Sequence, residues 1–189
     1  PEPVVHTESF VMSEGERRFY ENLRGYLQDG FALAKRRGNE GRALGFIMAI
    51  FQKIAASSFA AARRTLRRRL LMLNIHEALV RDRELDIDGR QERLDEAMAL
   101  IREHFGLGDS AVDRGRAEQI LADLKLRLLR TLPDEELALL ADTTSSDEAG
   151  IQAEEVAGDT VKFTLPHERK RIADLLATFP SGRETKAEK

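Results

Sequence analysis

Residues 44–70, LGFIMAIFQKIAASSFAAARRTLRRRL, run an apolar block straight into a segment carrying Arg63, Arg64, Arg67, Arg68 and Arg69. At about 100° per residue, Phe59, Ala62, Leu66, Leu70, Leu73 and Val80 gather on one side of a helix, with Arg63, Arg64, Arg67 and Arg68 in an arc of roughly 140° beside them. One helix would then offer a core face and a concentrated positive face, which suits a polyanion and above all a phosphate backbone. The block before it, apolar nearly all round from Leu44 to Phe51, predicts a helix over 42–56 at the centre of the packing. Together they make a basic hairpin over 42–82.

The rest of the chain punctuates itself into further helices. Ser13-Glu14-Gly15-Glu16 has the form of a capping box, and Phe19, Leu23, Leu27 and Phe31 follow at four-residue spacing. This predicts a helix over about 14–36 closed by Gly38. Ser57 or Ser58 is the natural N-cap of the arginine helix. A polar stretch with Asp86, Asp88 and Gly89 precedes a helix near 90–105, and Gly106 and Gly108 end it. A helix over 114–131 turns Ile120, Leu121, Leu124, Leu128 and Leu132 inward, and Pro133 breaks it before a short helix through Ala141. Residues 142–159, DTTSSDEAGIQAEEVAGD, are acidic and poor in aromatics and read as a flexible linker. Alternation at Val161, Phe163 and Leu165 predicts a short strand, Thr7 to Met12 another extended piece, and 167–179 an amphipathic helix through Ile172, Leu175, Leu176 and Phe179. The expected fold is mainly α: an irregular helical bundle with a long acidic loop and at most one or two short strands. Residues 1–141 form the helical domain, 142–159 the loop and 160–189 a strand and helix.

Charge is segregated. Residues 35–83 hold twelve Lys/Arg against three Asp/Glu, and residues 84–159 hold eight against twenty, behind a net charge of only −3. Two readings of the arginines follow. In one they meet DNA phosphates as backbone contacts, since no Asn or Gln pattern for base reading accompanies them. Lys35, Arg36 and Arg37 extend that surface, or else they only complement a helix C-terminus. In the other, the face docks on an acidic protein surface, including residues 84–159 of the same chain. An open basic stripe favours the first reading, and pairing with carboxylates of 84–159 favours the second.

Catalytic chemistry is sparse. No Walker-type loop, GxSxG elbow, HExxH pair or complete calcium loop occurs, and the string from Gly38 to Gly45 lacks the Lys and Ser/Thr of a nucleotide cradle. His6, His76, His104 and His167 are scattered, without metal-ligand spacing. No catalytic or metal-binding residue is nominated. There is no cysteine, which fits a reducing cytoplasm. The apolar run Ala43 to Phe51 is too short to cross a bilayer. The Pro-Glu-Pro opening without an initiator Met and the charged close GRETKAEK are expected of a piece of a longer protein.

Three stretches carry a resemblance. TESFVMSEGERRFYENLRGYL, with Ser13, Glu16, Phe19 and Tyr20, resembles the junction after the first RecA-like lobe of Swi/Snf-type superfamily 2 helicases. FQKIAASSFAAARRTLRRRL resembles a segment of bacterial members, and SGRETKAEK resembles the entry to the second lobe. Residues 84–159 match nothing specific. The resemblance implies the helical region inserted between two motor lobes that hydrolyse ATP, with magnesium, while moving on duplex DNA. It implies an ATP-dependent hydrolase as the parent and gives this piece no ATP-handling motif. The expected role is an accessory one, coupling the flanking lobes and contacting the DNA backbone. The rival expectation is a helical interaction or structural module with no nucleic-acid role.

Overall fold

The computed structural model describes residues 12–79, 85–128, 155–161 and 164–180. It is a mainly-α protein, with no strand among the described residues.

The first helix, α1 (Glu14–Arg36), begins at the capping box: the Ser13 hydroxyl accepts from the Glu16 amide, and the Glu16 carboxylate accepts from the Ser13 amide, both at 3.2 Å. Its buried stripe comprises Phe19, Leu23, Tyr26, Leu27, Gly30 and Ala34. Gly38, at φ +60°, turns the chain through a 3-10 turn (Gly38–Gly41) into α2 (Arg42–Ser57). The short turn folds α2 back along α1, and small residues let the two approach. A Cβ at Gly30 would overlap the Met48 side chain, and one at Gly41 would overlap the Ala34 carbonyl.

Ser58 breaks the helix with an extended backbone, and its hydroxyl accepts from the Ala61 amide at 3.2 Å to start α3 (Phe59–Leu79). This helix, not α2, occupies the middle: it packs against α2, against the helix Ile87–Phe105 and against the helix Glu168–Ala177. On α2, Phe46 and Ala49 are only partly covered and Gln52 and Lys53 are exposed. On α3 the buried set includes Thr65, Arg68, Arg69 and Asn74 as well as its apolar residues, so the expected division into a core face and an open basic face does not hold.

The fourth helix, α4 (Ile87–Phe105), starts earlier than the sequence suggested. Asp86 is its N-cap, accepting from the Gly89 amide at 2.7 Å, so the Asp86–Gly89 cluster opens the helix instead of separating two. Gly106, at φ +63°, ends it. Next, α5 (Ala111–Arg127) is capped by Ser110 and begins ahead of the expected residue 114. Leu124 is buried there, and Ile120, Leu121 and Leu128 are partly buried against the core. Residues 155–159 are helical and packed, with Ala157 fully buried, and so do not belong to a flexible linker. Val161, Thr164 and Leu165 are not in a strand. The last helix, α6 (Glu168–Ala177), lies across α1 and α3 and buries Ile172 and Leu175. The expectations for 7–11, 80–82, 129–154 and 181–189, and for Phe163, lie outside the described residues.

Candidate functional site: a buried ion cluster and an exposed basic corner

The arginines of α3 divide by what faces them. Arg69 is wholly buried, and its side chain reaches toward α6 and the 155–160 segment. Its Nε donates to both oxygens of Glu168 at 3.2 and 3.1 Å, and its Nη2 lies 3.0 Å from Glu168 Oε2. Its Nη1 donates to the carbonyls of Ala157, at 3.1 Å, and Thr160. The Tyr26 hydroxyl, from α1, donates to Glu168 Oε1 at 2.9 Å. Three elements distant in sequence therefore share one buried carboxylate. Burial first, and the Glu168 carboxylate second, hold the Tyr26 hydroxyl protonated well above its ordinary range, so it stays a donor. Burial works against the Arg69 charge, but Glu168 and Tyr26 outweigh it and raise its pKa.

Arg68 makes a two-point contact with Asp159: Nε to Oδ1 at 2.6 Å and Nη2 to Oδ2 at 3.1 Å. Arg127 reaches the same carboxylate at 3.1 Å and Glu155 at 3.5 Å. Gly158 permits this approach, since a Cβ there would stand 2.8 Å from Arg68 Cβ. Arg67 lies 3.3 Å and Arg63 3.8 Å from Glu103 on α4, and Arg63 also stands over the Phe179 ring at 4.8 Å. Arg64 is exposed. Of the four candidates on this helix, then, Arg63, Arg67 and Arg68 have carboxylate partners from residues 84–159, and no open four-arginine stripe forms. Lys35, Arg36 and Arg37, at the end of α1, are exposed and have no side-chain ion pair among the described residues. That corner is an open cationic surface.

Arg67 Nε also donates to His104 Nδ1 at 3.2 Å, which requires a neutral imidazole. Burial, then the charges of Arg67, Arg68 and Arg64, push His104 down to about 4, with Asp159 opposing in part. Burial leads in lowering Arg67 too, joined by Arg63 and Arg64, against Glu103. Because the folded His104 value lies below the ordinary 6.5, its contribution is complete above about pH 6.5 and is lost as pH falls toward about 4. At about 1.4 kcal/mol per pH unit, reduced for partial exposure, the loss comes to about 1–2 kcal/mol. Denaturant unfolding at about pH 7 and about pH 4.5 measures it, and His104→Gln should show a smaller drop between the two.

The sequence reading missed Arg69, Glu168 and Tyr26. A signal for Arg69 existed: at about 100° per residue it falls at the edge of the apolar arc, about 20° beyond Ala62 and on the side away from the other four arginines. Glu168 had none, because its partner is 99 residues away. Among the described residues no group of three His, Asp or Glu side chains is placed to hold a metal, and no helix is long and apolar enough to cross a membrane. Comparison with protein families, with curated proteins and with solved structures found no match.

Proposed function

We propose that the chain is the accessory helical region between the two motor lobes of a cytoplasmic Swi/Snf-type ATP-dependent DNA translocase or helicase. It acts as a strut that couples the lobes, and ATP and magnesium are handled by the lobes themselves. The observation that carries this reading is the meeting of the first and last described helices. Phe19, in the second turn of α1, packs edge-on against Phe179, just past α6, at 4.9 Å between ring centroids, and Tyr26 joins Glu168 beneath them. The segment resembling the exit from one lobe thus lies beside the segment leading toward the other. An inserted module has this geometry, because its entry and exit must be close. A DNA-backbone role falls to the exposed Lys35, Arg36 and Arg37 rather than to Arg67 and Arg68, whose guanidinium groups are already held.

A second reading, a structural or protein-interaction module with no nucleic-acid role, is favoured by the pairing of Arg63, Arg67 and Arg68 with Glu103 and Asp159. The two separate on the intact parent protein. Tyr26→Phe loosens the α1–α6 tie while keeping the ring. If the region couples the lobes, DNA-stimulated ATP hydrolysis persists while translocation per ATP falls severalfold. A parent that lacks DNA-stimulated hydrolysis, or a variant with unchanged translocation per ATP, contradicts the proposal.

A further inference from the structure

Between the end of α1, the C-terminal half of α3, α4 and the start of α6 lies an open cleft of about 540 Å³, within the size range of small-ligand sites. Its charged lining includes Arg37, Arg93, Arg169, Glu77 and Glu168. Both carboxylates are already engaged. Glu77 lies 2.8 Å from Arg93 and 3.2 Å from Arg169, and Glu168 is held by Arg69 and Tyr26. Outside the lining, Glu96 takes Arg169 at 3.0 Å. Three arginines therefore stand against Glu77 and Glu96, and the surplus charge is that of Arg37, which has no side-chain partner among the described residues.

The opposite wall of the cleft adds to this. The residues at the start of α6, Pro166 to Arg169, line it, and α6 begins without a side-chain cap. The Glu168 amide donates to the Leu165 carbonyl at 3.2 Å, and the positive end of the helix dipole adds to the arginine surplus. Arg93 and Arg169 keep further N–H groups beyond those spent on Glu77 and Glu96, and a guanidinium fork matches a tetrahedral oxyanion. Lys35 and Arg36 continue the positive surface outward from Arg37 along α1.

We infer that this cleft is a phosphate-binding site, with Arg37 as its open clamp and Arg93 and Arg169 as its fixed wall. The site takes one phosphate group, from a nucleic-acid backbone or from a small phosphate ester. Only the assignment to a backbone rests on the translocase reading. The cleft itself does not.

The test uses the 189-residue chain and amide and arginine Nε chemical shifts. Three ligands are titrated separately: inorganic phosphate, a nucleoside monophosphate and a short duplex DNA, with sodium acetate as the control. The inference expects phosphate to shift residues 167–169 and the Nε groups of Arg37, Arg93 and Arg169. Arg37→Glu, at an exposed position, should keep the helical circular dichroism and weaken that response about tenfold. A duplex that perturbs the same residues, more tightly and with a steeper salt dependence, assigns the phosphate to DNA. A duplex that leaves them unmoved while the monophosphate binds assigns it to a small ester. In that case the cleft stands even though the DNA reading fails. Shifts confined to Lys35 and Arg36, an equal response to acetate, or an unaltered response in Arg37→Glu overturns the inference.

Discussion

Replacing Glu168 with alanine is expected to lower the unfolding free energy by about 3–5 kcal/mol, the typical cost of stranding a buried charge. Arg69 is wholly buried and pairs with the Glu168 carboxylate at 3.0 Å. Without that carboxylate, the carbonyls of Ala157 and Thr160 still accept from Arg69, but the buried guanidinium loses the carboxylate that pairs with it. The Tyr26 hydroxyl would lose its acceptor as well. Denaturant unfolding of the purified chain, read by far-ultraviolet circular dichroism, measures the change. A companion variant sharpens the cause: Arg69→Met with Glu168→Leu removes both charges and should recover most of the loss. If Glu168→Ala costs as little as an exposed ion pair, about 0–1 kcal/mol, the cluster is not what holds α6 to α3.

Gly41→Ala is expected to cost about 2–3 kcal/mol, in the range for inserting a methyl into a packed site. The added Cβ would collide with the Ala34 carbonyl and stand 2.8 Å from its Cα. These are backbone atoms of α1, so no rotamer change relieves them, and the α1–α2 hairpin would have to open. Gly30→Ala is the natural contrast. There the obstacle is the end of the Met48 side chain, which is flexible and can move aside at smaller cost. The same unfolding experiment reads both, and equal effects would mean that the hairpin is looser than its geometry implies.

Local signals make much of the fold legible in the sequence. The capping pair Ser13 and Glu16 fixed the start of α1, Gly38 its end, and Ser58 the break between α2 and α3, because each acts within four residues of itself. Asp86 was misread for a related reason. An Asp followed by Asp and Gly resembles a turn, and only the bond from the Gly89 amide shows that the turn is the first of a helix. The surroundings of α3 were beyond local reasoning. Arg67, Arg68 and Arg69 are covered by Glu103, Asp159 and Glu168, which lie far along the chain; the charge pattern leaves pairing with residues 84–159 as one of two readings, and nothing local selects it or points to Glu168. Charge segregation along the sequence was real, but it marks surfaces that close on each other more than a surface left open. Lys35, Arg36 and Arg37 stay outside that closure: they occupy the last turn of α1 and the residue after it, and the carboxylates that share a cleft with Arg37, Glu77 and Glu168, are engaged by other arginines.

Tyr26, Arg69 and Glu168 should make α1, α3 and α6 one mechanical unit, which native-state amide hydrogen exchange can resolve. The central amides of α6 are expected to open only together with those of α1 and α3, and Glu168→Gln to release α6 first. Wild-type α6 amides exchanging by local opening, about a hundredfold or more faster than those of α3, would contradict this.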